Sequence, residues 1–128
     1  MKYGYERNVK MGMEEAEGKV RATLQSQGFG VLTEIDVKTT FKEKLNIDFK
    51  PYKILGACNP NIAYKALTEE PEIGLLLPCN IVIWENEDGS VTVLAIDARK
   101  MLSVTGRDDL EELSDQVNSS LRAAIDAI

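Results

Sequence analysis

Asp88-Gly89 stands between two runs dense in β-branched and apolar residues, Leu76–Trp84 and Ser90–Ile96. An Asp-Gly pair supplies the positive backbone angles of a tight turn, so it folds the two runs back on each other as antiparallel strands. A lone hairpin is marginal in water, so the rest of the chain has to extend it and cover it. The first strand of the pair is predicted at residues 78–85 and is central in the sheet. Pro78 fits only as its first residue, because proline cannot donate to a ladder. The partner strand is Ser90 to Ile96.

Upstream, Tyr3, Tyr5, Arg7 and Val9 alternate with Lys2, Gly4, Glu6 and Asn8, the period of a strand. Met13, Ala16, Val20, Leu24 and Gln27 recur at spacings of three and four, which predicts a helix over 13–27 stopped by Gly28. Gly18 inside it costs up to about 1 kcal/mol relative to Ala, which a close packing contact would explain. Residues 29–35 read as a second strand. Asp36 is placed to cap a helix over 37–45 with Val37, Phe41 and Leu45 on one face. Tyr52–Cys58 is a third strand. It runs directly into Asn59-Pro60, a favoured cap followed by a favoured first helical residue. The helix that follows covers 60–69, with Ile62, Ala63, Ala66 and Leu67 inward, and Pro71 ends it. Asp97 caps a single turn through Met101-Leu102. A last helix is expected from Thr105 as cap, with Asp108 three residues on and Leu110, Leu113, Val117, Leu121, Ala124, Ile125 and Ile128 along one face. The acidic cluster Asp108, Asp109, Glu111 and Glu112 reads as a solvated helix start at the favourable end of the dipole, not a cation site.

The order β-α-β-α-β-α-β-β-α predicts an α+β fold: one small domain over 1–128, a mixed or antiparallel sheet covered by helices. With 128 residues the chain builds one core and not two. The net charge of −6 argues against a general grip on nucleic acid or anionic membranes. The longest apolar stretch, near Ile73 to Trp84, is too short to span a bilayer and contains Pro78 and Asn80. The first residues lack an apolar signal region, and two cysteines are too few for a secreted disulfide scaffold, so a cytoplasmic protein with reduced thiols is expected. A Cys58–Cys79 disulfide is the alternative.

There is no histidine. Ser-His-Asp and Cys-His nucleophile pairs and every His-containing metal site are therefore excluded. Chemistry then rests on Cys58 and Cys79, each framed by Asn and Pro. Cys58 lies just before a helix start, where unpaired N–H groups near Asn61 and Ile62 and the dipole would stabilise a thiolate, an anion or a carbonyl oxygen. The plainer alternative is a small buried residue at a strand end. Pro78-Cys79-Asn80 nearly mirrors the first motif. If the two strands are neighbours, the thiols are candidates for a redox pair, half a metal site or two core residues. Zinc would still lack ligands, which only carboxylates or a second subunit could provide. The carboxylate pairs (Glu69-Glu70, Glu85 with Glu87) read as solvated. Gly28-Phe29-Gly30 follows a helix and is no phosphate loop. Trp84 reads as core, with its N–H on a partner group.

These residues resemble the domain of unknown function 302 family over nearly the whole chain. The resemblance is carried by Gly56-Ala57-Cys58-Asn59-Pro60, by Leu77-Pro78-Cys79-Asn80, by the strand ending Trp84-Glu85, by Asp88-Gly89 and by Ala95-Ile96-Asp97 before Met101. It implies a small α+β domain of unassigned activity. Many members have Asp-His where this chain has Asp36-Val37, and Asp-Pro where it has Asp97-Ala98. The paired cysteines mark a subset of the family, which implies that Asn59-Pro60 and Pro78 serve the shared fold.

The foremost functional expectation is a module binding a small ligand, an anion or a soft metal ion, with Cys58, Asn59, Asn61, Cys79 and Asn80 as contacts. Second is a structural or protein-interaction domain with buried cysteines. Third is a thiol-dependent redox protein with Cys58 as nucleophile and Cys79 as its resolving partner. The lack of a base leans against an enzyme. No cofactor is assigned. A homodimer is expected, because the apolar last helix reaches Ile128.

Overall fold

A computed structural model describes residues 3–128. Met1 and Lys2, where the alternation of the first strand begins, lie outside the described residues. The Asp88-Gly89 hairpin forms: Gly89 takes φ +85, and the Asn86 N–H donates to the Ser90 carbonyl at 2.8 Å. Asp88 accepts from the Ser90 N–H and hydroxyl, which locks the turn. The strands are β1 (Gly4–Val9), β2 (Gly30–Asp36), β3 (Tyr52–Cys58), β4 (Cys79–Glu85) and β5 (Val91–Ile96). The helices are α1 (Met13–Ser26), α2 (Val37–Leu45), α3 (Pro60–Glu69), α4 (Ala98–Leu102) and α5 (Glu111–Asp126). Short 3-10 turns cover Pro71–Leu76, Ser103–Thr105 and Asp108–Leu110.

The five strands form one sheet, ordered β1-β5-β4-β3-β2, with every neighbouring pair antiparallel. The α+β expectation holds, with the sheet antiparallel throughout. Opposed residues share a face and successive ones alternate. Leu55, Ala57, Cys79, Ile81, Ile83, Val93 and Ala95 thus point to one side, where Ala16, Val20 and Leu24 of α1 and Val117, Leu121, Ala124 and Ile125 of α5 bury them. The register slips at Val31/Thr33, so Leu32 is an extra residue bulged out of β2.

Local capping follows from residue type. Asp36 accepts from the Thr39 N–H, Asn59 from the Ile62 N–H, and Asp97 from the Arg99 and Lys100 N–H groups. Gly28, at φ +82, ends α1.

Several expectations fail. Thr105 does not cap the last helix. Its hydroxyl donates to the Leu102 carbonyl and accepts from the Arg107 N–H, which closes a local turn instead. Asp108 and Asp109 form a 3-10 turn, and α5 starts at Glu111. Trp84 is not core. It lies half-buried on the side of the sheet that α1 and α5 leave open, stacked on Tyr52 at 5.6 Å, with Nε1 donating to Asn86. Gly18 meets no close neighbour, for a Cβ there would touch nothing within 4 Å. In α2 no residue is buried, and Leu45 is exposed. Leu67 is also partly exposed. The apolar face of α5 packs on its own sheet.

A candidate apolar cavity at the cysteine motifs

The buried residues divide into two clusters. The larger joins the sheet to α1 and α5. The smaller holds Ala66, Ile73, Leu102 and Leu110. Between them lies a cavity of about 360 Å³. Its walls come from both clusters: Phe29, Ala57, Cys79, Ala98 and Val117 on the sheet side, and Ala66, Ile73 and Leu102 opposite. α3 adds Ile62, Ala63 and Leu67, α4 adds Met101, and the β2 bulge delivers Leu32. No Lys, Arg, Asp or Glu lines it. That size suits a small organic molecule.

The two sequence motifs build one end of this cavity. Gly56 is required there: a Cβ would meet Pro78 Cγ at 2.6 Å and collide with Thr33 Oγ1. Thr33 and Pro78 therefore close over β3 where its side chain is missing. Cys79 sits opposite Ala57, and Cys58 is the next residue along β3. Strand alternation directs Cys58 to the other side from Cys79, yet both border the cavity. Both thiols are free. Cys79 is buried, and burial with the neighbouring Cys58 pushes its pKa up to about 11.

Cys58, Asn59 and Cys79 are thus brought together on one wall. Asn61 and Asn80 are exposed and are not on it. The helix start is largely occupied as well. Asn59 Oδ1 takes the Ile62 N–H at 3.3 Å, its carbonyl takes the Ala63 N–H at 2.9 Å, and Pro60 has no N–H. Among the described residues, no three Cys, Asp or Glu side chains gather as a metal-binding group.

Two positioning residues escaped the sequence. Asn118 on α5 accepts from the Ala98 N–H at 2.7 Å and donates to Asp97 at 2.9 Å, fixing the α4 wall. Arg107 bonds Glu70 and Glu69 at the end of α3 and Asp109 before α5, strapping the α3 wall to the last helix. The Asp109 hydrogen bond foremost, and Glu70 after it, hold its pKa above the ordinary arginine value. Neither residue carries a motif, because the wall each one holds lies far off in sequence, Ala98 for Asn118 and Glu69 and Glu70 for Arg107.

Fold and cavity define a two-layer α+β domain with a ligand-sized apolar seam between its sheet core and a helical flank. The family described as "Domain of unknown function DUF302" matches residues 5–128, and the chain belongs to it. A crystal structure of an uncharacterised conserved DUF302 protein from Bacillus stearothermophilus is similar at 28% identity and a TM-score of 0.91, covering 99% of this chain and 98% of that one. No curated protein matches. No helix among the described residues is long and apolar enough to cross a membrane.

Proposed function

We propose that the protein is a binding module for a small, uncharged, mainly apolar molecule held in the cavity beside Cys58 and Cys79. The observation that carries this reading is a cavity of about 360 Å³ with no ionisable side chain on its walls except the two thiols. An anion would be buried there without a cation, at a cost of several kcal/mol, and the α3 start has little left to offer it. A soft metal would find only the two thiols as ligands, since among the described residues no third Cys, Asp or Glu side chain gathers with them. The raised pKa of Cys79 works against it as a resolving thiol. The two free thiols fit a reducing cytoplasm.

Calorimetry with indole, indole-3-carboxylate and zinc chloride separates these readings. Indole has nine heavy atoms, which at about 0.6 kcal/mol each gives a Kd on the order of 100 µM. The carboxylate should bind at least tenfold more weakly. Ala63→Trp fills the cavity from α3 and should abolish indole binding. No binding of indole, or unchanged binding to Ala63→Trp, overturns the proposal. Tighter binding of the carboxylate or of zinc would replace it by the anion or metal reading.

A further inference from the structure

The cysteine wall of the cavity carries two thiols and one uncommitted hydrogen-bond donor. Both thiols are free, and neither takes part in a hydrogen bond among the described residues. Cys79 is only 6% exposed, and burial with the neighbouring Cys58 keeps it protonated, with its pKa at about 11. Cys58 is partly exposed, so it is the accessible nucleophile of the two. Asn59 follows it directly and borders the same cavity. Its Oδ1 is occupied by the Ile62 N–H, but its Nδ2 has no acceptor among the described residues. No buried side-chain nitrogen or oxygen among them is left unpaired, so this NH2 group faces open space. A thiol beside a free N–H donor is suited to one reaction in particular, addition to an alkene conjugated with a carbonyl. Sulfur takes the β-carbon, and the donor holds the oxygen on which charge develops.

We infer, on the basis of the binding reading above, that the ligand is a small apolar α,β-unsaturated carbonyl compound, which the cavity traps as a covalent adduct on Cys58. Cys58 gives its proton to water and attacks as the thiolate. An S–C bond forms at the β-carbon, and the C=C π pair moves onto the carbonyl oxygen as an enolate, to which Asn59 Nδ2 donates. Water then returns a proton to the α-carbon. The sum is the addition of one S–H across one C=C bond, with no oxidant or reductant consumed. The apolar walls supply the selectivity. A bound apolar alkene meets Cys58 at an effective concentration far above that in solution, whereas a charged one is kept out.

Phenyl vinyl ketone, close to indole in size, tests it against 4-acryloylbenzoate, the same alkene and carbonyl with a carboxylate added. Adduct formation on the full chain is followed by mass spectrometry, and each rate constant is divided by that for 2-mercaptoethanol. On this scale phenyl vinyl ketone should modify Cys58 at least about tenfold faster than 4-acryloylbenzoate does. The rate should level off at a concentration on the order of 100 µM. Indole should slow the reaction, and Ala63→Trp should remove the gain. Should Ala63→Trp fail to fold, competition by indole alone decides whether the cavity is the site. Benzyl bromide is apolar but has no carbonyl, and should gain less. If indole binds and phenyl vinyl ketone shows no gain, or a gain that indole leaves unchanged, the adduct inference falls while the binding reading stands. If indole does not bind, both fall. A gain for benzyl bromide equal to that for phenyl vinyl ketone overturns the carbonyl class.

Discussion

Raising the pH from 8 to 10.5 should expose how completely Cys79 is shielded. Burial and the neighbouring Cys58 raise its pKa from 9.0 to about 11. At pH 8 that lowers its thiolate fraction roughly 100-fold relative to an unburied thiol. The more basic thiolate is intrinsically about eightfold more nucleophilic, so ionisation alone slows alkylation about tenfold, and occlusion slows it further. Iodoacetamide labelling followed by peptide mass spectrometry should therefore modify Cys58, which is partly exposed, well before Cys79. A linked effect appears in stability. The folded-state pKa lies above the unfolded one, so this stabilisation is complete below about pH 9 and is lost as pH rises through about 11. Its size is about 3 kcal/mol. Urea midpoints at pH 8 and 10.5 should show about 2 kcal/mol of that loss in the wild type and not in Cys79→Ala. Labelling of folded Cys79 at the rate of an open thiol, or the same alkaline loss in Cys79→Ala, would refute the reasoning.

Gly56→Ala should destabilise by about 1–3 kcal/mol in urea unfolding, because its Cβ meets the Pro78 ring and Thr33. Gly18→Ala should do the reverse and raise stability by up to about 1 kcal/mol, since the position is helical, exposed and free of neighbours. Asn118→Ala should cost about 1–3 kcal/mol by leaving the buried Ala98 N–H without its acceptor. Arg107→Gln should speed indole exchange, read by NMR line shape, by releasing the end of α3.

The parts of this fold legible in the sequence are those fixed by neighbouring residues. Asp88-Gly89 dictates its hairpin, and Asn59-Pro60 starts α3, because each signal and its consequence lie within a few positions. Thr105 misled for the same reason: a hydroxyl with a capping spacing found nearer partners in Leu102 and Arg107. Strand order depends on pairings across the whole chain, and alternation alone does not say which side the helices cover. Trp84 therefore looked like core while lying on the open side. The cysteine motifs marked one end of the cavity. Its other walls are ordinary Ala, Leu, Ile and Met residues from distant segments, and nothing in their local spacing distinguishes them from core. Asn61 and Asn80 adjoin the motifs in sequence, but the chain direction there turns their side chains to solvent.

The central claim is that the seam between the two buried clusters is where a small apolar molecule binds. A methyl-resolved NMR titration with indole tests it most directly. The account predicts shifts concentrated at Ala57, Ile62, Ala63, Ala66, Met101 and Val117, which line the cavity. Shifts concentrated instead at Ile54, Val82 and Leu94 on the open sheet face, or none at millimolar indole, would contradict it.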